Sequence, residues 1–403
     1  MNGELPTLKG LSSIPRPNWI EIDLDALVSN LERLKASAGL KDILLPVKAD
    51  AYGHGALACS MACQRSGAAT MLGTAHLFEA IALRQWGVTM PILVLGPASK
   101  EELPFFVEHD VVPTIEDPAL AEWFDGFLTE KGATAPFHLK INTGMNRFGL
   151  PWDDAASIRR FAALKHAKID GVYSHLAVAD DPSSSFTEEQ YRRFRAAVDA
   201  LPERPRLVHL AASSGLLRFP DWDVVTMARP GLASYGASPL DGRTVDEFGL
   251  RPALRMYSTI RMVHLVKAGD SVSYGLRWTA EKDSRVALVA IGYGDGFRRA
   301  PAPGATVRIR GVDCPILGTV CMDVIMVDVS HLPEAAAGDT VALVDADEGL
   351  PLEKIAARYN TIPYEISCDL ARRLYRVYRW KGERLNWDEL CGKIRDQGSG
   401  IRD

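Results

Sequence analysis

The chain has 403 residues, of which 47% are hydrophobic and 24% charged, and its formal net charge is −5. These proportions are typical of a globular protein that is too long for one ordinary core, so we expect two domains. The small negative charge argues against nucleic acid or an anionic membrane as a partner. No apolar stretch reaches the roughly 20 residues that a membrane-spanning helix needs.

The N-terminus and the cysteines predict a compartment. Residues 1–16 contain no apolar run typical of a secretory signal, so we expect a poorly ordered extension there. Cys59 and Cys63 are four residues apart, a spacing that suits a metal ion. No histidine or second cysteine pair completes a ligand set, so buried thiols are favoured and no metal site is predicted. Six scattered cysteines favour a reducing, cytoplasmic compartment.

Between residues 40 and 230, short β-rich runs alternate with helical patterns. This alternation predicts a parallel sheet, and eight repeats predict a closed (β/α)8 barrel of the TIM type. An amphipathic helix is predicted before the first strand, and a later helix is predicted to start with a capping box of Thr187 and Gln190. The strands are expected near residues 43–47, 70–74, 92–95, 111–115, 137–141, 169–174, 206–210 and 224–228.

The pattern changes after about residue 248, where alternating or β-branched runs are separated by Gly, Asp and Pro turns. This pattern predicts a mainly antiparallel β-domain with short helices. We therefore divide the chain into an N-terminal extension over 1–16, a barrel over 17–248 and a C-terminal β-domain over 249–403.

Several residues with chemically useful side chains fall at or just after the C-terminal ends of the predicted barrel strands. In (β/α)8 barrels this end of the strands carries the active site. The pattern alone therefore predicts one shared site at this mouth for Lys48, Lys140, His175, Ser213 and Arg229.

The segment LPVKADAYGHG, residues 45–55, is the most specific motif in the chain. Lys48 ends a buried strand there, and a lysine in such a place can bind an aldehyde cofactor through its amine. A solvated lysine is the ordinary alternative. The whole segment, however, resembles the pyridoxal-phosphate (PLP) attachment motif of alanine racemases. The resemblance extends from about Trp19 to Tyr378.

The resemblance implies a PLP-dependent enzyme that interconverts L-alanine and D-alanine and supplies D-alanine for peptidoglycan. It also implies a homodimer. Among the implied cofactor ligands, Ser213 lies at a helix start, so it could instead serve only as the N-cap of that helix. By resemblance, the cofactor-binding set is Lys48, Tyr52, His175, Ser213, Arg229, Gly231 and Tyr364.

Arg229, in MARPGLASYG, resembles the arginine that contacts the pyridine nitrogen of the cofactor. An arginine is always charged and cannot accept a proton, so it keeps this nitrogen unprotonated. The ring is then a weaker electron sink, which should limit transamination. A surface salt-bridge arginine is the alternative, but Arg229 follows an apolar strand.

Racemisation removes a proton from one face of Cα and returns one to the other face. Lys48 is one base, and Tyr274 in SVSYGLRWTAE resembles the second. A tyrosine needs positively charged surroundings to act as a base, and His175 is the expected neighbour. In the family this tyrosine comes from the partner subunit, together with a methionine that matches Met322 and meets the substrate carboxylate.

The segment FHLKINTGMNRFGL resembles the family segment that carries a carboxylated lysine and, seven residues later, a substrate-binding arginine. Lys140 and Arg147 have this spacing. Carboxylation would turn a costly buried cation into an anion that holds the guanidinium. An inward-facing lysine paired with an acid is the alternative.

Two positions depart from the family pattern. Asn142 stands where many members have Asp, and Thr319 stands where many have an arginine of the outer substrate corridor. The second change leaves the chemistry intact but affects the charge of the corridor and the substrate range. The rest of this corridor is expected to include Tyr293, Asp295 and Arg299.

Three other functions are alternatives to this interpretation. A racemase of the same fold could act on serine or a broader range of amino acids. A non-catalytic PLP-binding barrel would share the lysine, but such proteins lack the β-domain, and the SYG and CMD segments argue against one. A decarboxylase of similar architecture would need an acid in place of Arg229.

Overall fold

The computed structural model describes residues 15–240, 242–299, 304–371 and 373–396. The predicted extension lies outside these residues except for its last two positions. Contacts divide the described chain into one unit formed by residues 26–251 and another formed by residues 15–25 with 252–396.

The first unit is a closed barrel of eight parallel strands, as predicted. Each strand pairs with its neighbours in chain order, and the last strand pairs with the first. The interior is apolar towards the strand N-termini, where Leu44, Met71 and Leu93 belong to one buried cluster. The barrel strands are Asp42–Pro46, Met71–Thr74, Ile92–Pro97, Val112–Ile115, Ala135–Asn142, Ala167–Tyr173, Leu207–His209 and Met227–Ala228.

Helices connect these strands, and local sequence sets their ends. Asp117 accepts a hydrogen bond from the Ala119 backbone N–H at 2.9 Å, which caps the helix Pro118–Lys131. Gly132 ends this helix with φ 62°. The helices are Leu24–Ser37, Lys48–Tyr52, Ala56–Ser66, Leu77–Gln85, Leu103–Glu108, Pro118–Lys131, Ala155–Ala162, Phe186–Asp199 and Ser213–Arg218, with 3-10 turns at Leu232–Tyr235 and Asp246–Phe248; a short strand, Leu150–Pro151, pairs beside the fifth barrel strand.

The second unit is mainly antiparallel, also as predicted. Its long strand Leu254–Val266 pairs with Thr340–Val344 through its first half and with Ser284–Val289 through its second half, and this closes a ring of six strands. The ring and its extensions comprise Asn18–Asp23, Leu254–Val266, Ser284–Val289, Thr306–Ile309, Val312–Leu317, Ile325–Asp328, Thr340–Val344, Tyr375–Trp380 and Glu383–Leu385.

The strand Asn18–Asp23 belongs to this second sheet, although the sequence-based boundaries placed it with the barrel. It runs antiparallel to Leu254–Val266 and parallel to Tyr375–Trp380. A separate two-stranded ribbon pairs Ser271–Val272 with Trp278–Thr279. The helices of this unit are Leu352–Arg358, Pro363–Cys368 and Trp387–Asp396, with 3-10 turns at Tyr274–Leu276 and Tyr293–Asp295.

One helix start differs from its prediction. The helix expected to begin with a capping box at Thr187 begins at Phe186, one residue earlier. Thr187 and Gln190 are both buried, and Gln190 uses its amide for contacts outside the helix. Among the described residues, no helix is both long and apolar enough to cross a membrane.

Candidate active site

Lys48 lies just after the first barrel strand, at the start of a tight left-handed turn. Ala49, Asp50, Ala51 and Tyr52 have φ between 51° and 55°. Left-handed backbone costs roughly 1–2 kcal/mol per residue for side chains other than glycine. Side chains hold the turn: a Glu79 carboxylate oxygen accepts from the Ala49 N–H, and an Asp50 oxygen accepts from the Ala56 N–H, both at 2.8 Å. Strain of this kind is typical of functional segments.

The predicted phosphate ligands of the barrel lie together. A methyl group on Gly231 would come within 3.0 Å of the Tyr52 hydroxyl, so the glycine allows this close approach. Ser213 is buried, and its Oγ accepts a hydrogen bond from the Ala233 N–H at 3.1 Å. The loops after the first, seventh and eighth strands therefore converge at this place.

Arg229 is a buried cation held by hydrogen-bond acceptors. One terminal nitrogen donates to Nδ1 of His209 at 2.8 Å. The other donates to the Ser174 carbonyl at 2.7 Å, with the Leu210 carbonyl at 3.2 Å and Nδ1 of His175 at 3.3 Å. Burial lowers the pKa of Arg229 to about 10, so the guanidinium remains charged at neutral pH. The alternative of a surface arginine is excluded, because its exposed fraction is 4%.

Lys140 is buried in the same mouth. Its ammonium nitrogen lies 4.5 Å from the ring centroid of Tyr173, and 4% of the residue is exposed. Burial, followed by the positive charges of Arg229 and Arg147, lowers the pKa of Lys140 well below its ordinary value, and only Glu116 opposes this shift. Burial and these positive charges therefore favour the neutral amine over the ammonium form. Arg147 itself is exposed.

His175 is neutral and has a defined hydrogen position. Burial and then the charge of Arg229 lower its pKa well below the ordinary value, and Lys140, Arg147 and Lys48 act in the same direction. Its Nδ1 faces an Arg229 nitrogen that can only donate, so Nδ1 accepts and the ring hydrogen lies on Nε2.

In the second unit, Tyr274 is strongly exposed, at 70%, and Met322 at 53%. The turn that carries Tyr274 is fixed by Thr319, whose Oγ1 donates to the Tyr274 carbonyl at 2.8 Å. Ser273, with φ 69°, donates its hydroxyl to the Thr319 carbonyl in return. Thr319, noted above as a departure, thus supports the backbone of the predicted base.

The turn with Tyr293 lies against the loop that carries Met322. The Tyr293 N–H donates to the Cys321 carbonyl at 3.0 Å. Asp295, predicted to belong to the corridor, is only 2% exposed and accepts from the Gly292 N–H at 3.0 Å and from Arg373 Nε at 2.6 Å. The Asp295 carboxylate thus stabilises this turn.

Tyr364 and Arg299 also lie in the second unit. Tyr364 is half-buried within the helix Pro363–Cys368, and Arg299 is exposed. The sequence therefore distributes its predicted site over both units, with eight candidates in the barrel and six in the β-domain.

Three polar residues of the barrel mouth were not identified from the sequence. Gln190 donates to Thr143 Oγ1 and the His175 carbonyl, and Glu116 faces Lys140. His209 receives a hydrogen bond from Arg229. Glu116 and His209 lie at the ends of predicted strands, and this position could have identified them as candidates. Nothing in the sequence indicates the contacts of Gln190.

Both domains of the chain match one protein family. Residues 22–239 match the family described as "Alanine racemase, N-terminal domain", and residues 253–378 match "Alanine racemase, C-terminal domain". The chain belongs to the alanine racemase family. An alanine racemase of Desulfovibrio desulfuricans is 37% identical over 371 residues, which cover 91% of this chain and 99% of that relative.

Solved alanine racemase structures have the same fold. The enzyme of Clostridium difficile has a TM-score of 0.86 and 32% identity, with 93% of this chain and 98% of that chain covered. The alanine racemase of Bartonella henselae, which contains covalently bound pyridoxal phosphate, has a TM-score of 0.82 and 28% identity, with 91% and 100% covered. The family resemblance predicted from the lysine motif is thus confirmed over both domains.

Proposed function

We propose that this chain is a PLP-dependent alanine racemase that interconverts L- and D-alanine and supplies D-alanine for peptidoglycan. One observation carries the proposal: a lysine on a strained turn, Lys48, shares a barrel mouth with a buried arginine, Arg229. Membership in the alanine racemase family supports the same reaction.

The residues of the barrel mouth fit PLP. Lys48 offers an amine for the aldehyde, and the close approach of Gly231 to the Tyr52 hydroxyl forms a cradle that a side chain would fill. Ser213 and Tyr52 would hold the phosphate with Tyr364, and Arg229 would face the pyridine nitrogen. When bound, PLP withdraws electrons from Cα of the attached amino acid and so acidifies its Cα–H bond.

Two residues would move the protons. Lys48 Nζ serves one face of Cα and the Tyr274 hydroxyl serves the other. His175 carries its hydrogen on Nε2, because its Nδ1 accepts from Arg229. We propose that this hydrogen donates to the Tyr274 oxygen. Such a donor stabilises the phenolate, which is the form of the tyrosine that can accept a proton.

Arg147 and Met322 would meet the substrate carboxylate. We propose that Lys140 is carboxylated, since its amine is buried and its lowered pKa favours the neutral form, which is the one that reacts with carbon dioxide. The product is an anion that neutralises nearby guanidinium charge. Labelling with ¹³C-bicarbonate would detect the carbamate carbon by NMR, and Lys140→Met would remove its signal.

The exposure of the β-domain candidates supports a homodimer with composite sites. Tyr274, Leu276 and Met322 are all more than half exposed, an arrangement that favours a protein partner over solvent. We propose that a second copy covers this surface and that Tyr274 acts in the partner's site. A cytoplasmic location is part of the same proposal. Tyr293 and Arg299 would contact the substrate corridor, and Asp295 would position its turn.

The direct test is racemisation by the purified holoenzyme over a panel of L-amino acids that includes alanine and serine, followed by chiral chromatography. We expect alanine to react fastest. Lys48→Ala should abolish both the reaction and the absorbance band of the covalently attached cofactor, whereas Lys41→Ala, at an exposed lysine, should keep both. Full activity of Lys48→Ala, or a preference for serine, would contradict the proposal.

A further inference from the structure

Three buried side chains form a hydrogen-bonded line through the barrel interior. Arg229 contacts Nδ1 of His209 at 2.8 Å, and Nε2 of His209 lies 2.9 Å from Nδ1 of His138. Both histidines are fully buried. Beyond them, Nε2 of His138 lies 4.0 Å from a carboxylate oxygen of Asp170, which pairs with Arg206 at 3.0 Å.

The line fixes the position of every ring hydrogen. A guanidinium can only donate, so Nδ1 of His209 accepts and its hydrogen must lie on Nε2. This Nε2–H then donates to Nδ1 of His138, whose own hydrogen lies on Nε2 and has no hydrogen-bond partner among the described residues. Both rings are neutral, because burial lowers the pKa of His138 to about 3 and, together with the charge of Arg229, lowers the pKa of His209 well below its ordinary value.

Packing holds both rings in place. A methyl group on Gly171 would come within 2.5–2.7 Å of three atoms of the His138 imidazole, so the ring lies directly against the glycine backbone. The His209 ring stacks on Tyr173, with 4.8 Å between centroids and 13° between planes. Each ring is thus packed closely on one face.

We propose that His138 is a positioning residue for racemisation: it accepts from Nε2–H of His209 and thereby keeps the Nδ1 acceptor that orients Arg229. The inference rests on the proposed function, in which Arg229 faces the pyridine nitrogen. Without this acceptor, a buried N–H of His209 would be unsatisfied, which is costly. The other tautomer removes that penalty but points an N–H at the guanidinium.

The hydrogen position can be measured in the unmodified protein, with or without cofactor. Long-range ¹H–¹⁵N NMR of a ¹⁵N-histidine sample distinguishes the two neutral tautomers, and His209→Asn identifies the relevant ring. We expect His209 to carry its hydrogen on Nε2 and none on Nδ1. A hydrogen on Nδ1, or a charged ring, would overturn the inference whatever reaction the enzyme catalyses.

Two substitutions distinguish the effect of the hydrogen-bond acceptor of His138 from the effect of its side-chain volume. His138→Asn keeps an acceptor oxygen near the position of Nδ1, whereas His138→Leu has a similar size and no acceptor. We expect kcat of His138→Leu to fall about 10- to 100-fold, in the range seen when outer hydrogen-bond partners of a site are removed. Its His209 should also change tautomer. The asparagine variant should stay within about threefold of the wild type and keep the tautomer.

A second readout reports on Arg229 itself. In the side reaction, the amino group of alanine passes to the bound cofactor and pyruvate is released. Pyruvate formed per racemisation turnover should rise in His138→Leu and not in His138→Asn. Gly171→Ala, which displaces the ring and leaves His138 present, should behave like the leucine variant and serves if the latter does not fold.

The role of His138 would be overturned if kcat fell equally in His138→Leu and His138→Asn. It would also be overturned if kcat and the pyruvate formed per turnover were unchanged in both His138→Leu and Gly171→Ala. Failure of the wild type to racemise alanine would instead refute the proposed function, and the NMR measurement would still decide the tautomer.

Discussion

Gln190 donates its side-chain amide to Thr143 Oγ1 at 3.1 Å and thereby connects a helix to the loop that leads to Arg147. The same amide nitrogen donates to the His175 carbonyl at 3.0 Å, and its oxygen accepts from the Ala177 N–H at 2.8 Å. One buried side chain therefore joins the loops after the fifth and sixth barrel strands, and both loops carry candidate site residues.

Gln190→Leu should destabilise the protein by about 2–4 kcal/mol, since it removes three hydrogen bonds and leaves buried polar partners unsatisfied. Denaturant unfolding of the wild type and the variant measures the loss. Glu188→Ala, at an exposed position of the same helix, is the control and should change stability little. Equal midpoints for Gln190→Leu and the wild type would show that these bonds contribute nothing.

Arg229→Glu should slow racemisation by about 10²- to 10³-fold and increase pyruvate formation, because a carboxyl group lets the ring nitrogen take a proton. Chiral chromatography and a coupled pyruvate assay measure the two rates. Arg159→Glu, at an exposed arginine of the same unit, is the control. A variant that only binds cofactor more weakly would contradict the electron-sink argument.

Tyr274→Ala should reduce alanine turnover by about 10²- to 10⁴-fold, as expected for loss of a general base. In deuterated solvent it should still exchange the Cα proton of D-alanine, because Lys48 remains. Mixing Tyr274→Ala with Lys48→Ala subunits should restore activity to about half of the wild-type value per mixed dimer, since one composite site is then intact. No recovery after proven subunit exchange would place both bases on one chain.

Thr319→Val should lower kcat by about 2- to 12-fold, the effect of one lost hydrogen bond, because the Tyr274 carbonyl loses its donor. The loss should appear in kcat measured with L-alanine, and Thr340→Val, at an exposed threonine of the same unit, should show none. An unchanged kcat in Thr319→Val would mean that the Ser273–Leu276 turn does not need the hydrogen bond from the Thr319 hydroxyl.

Glu116 should make stability depend on pH. Burial raises its pKa from 4.5 to about 7, so the folded protein holds this proton more tightly than the unfolded chain. Stability from this group is therefore lost as pH rises from 4.5 to 7. Glu116→Gln should match the wild type near pH 5 and exceed it by about 1–3 kcal/mol at pH 8. Glu108→Gln, at an exposed acid, should show no such difference in denaturant unfolding.

The sequence predicted the barrel well because eight buried parallel strands are short apolar runs with helices between them. It also predicted the places of Lys48 and Arg229, since each follows such a run. It did not predict the left-handed turn over Ala49–Tyr52, because these residue types do not favour positive φ and the turn depends on Glu79, 30 positions away.

Other misses have the same origin in long-range packing. Thr187 and Gln190 match a local capping pattern, but burial of Gln190 against two loops overrides it. The burial of Asp295 depends on Arg373, 78 residues later, and no local pattern records that pairing. Local sequence thus indicates the elements, while distant partners decide the direction of polar side chains.

The strand Asn18–Asp23 has a consequence for the order of events during synthesis. It leaves the ribosome before any barrel strand, yet its antiparallel neighbour, Leu254–Val266, follows the whole barrel. Its parallel neighbour, Tyr375–Trp380, comes later still. The barrel unit can therefore close while this strand is still unpaired, and the sheet of the β-domain is completed only after Tyr375–Trp380 has been made. A truncation before Tyr375 would leave Asn18–Asp23 unpaired on the side that faces Tyr375–Trp380, and such an open sheet edge invites association with other chains.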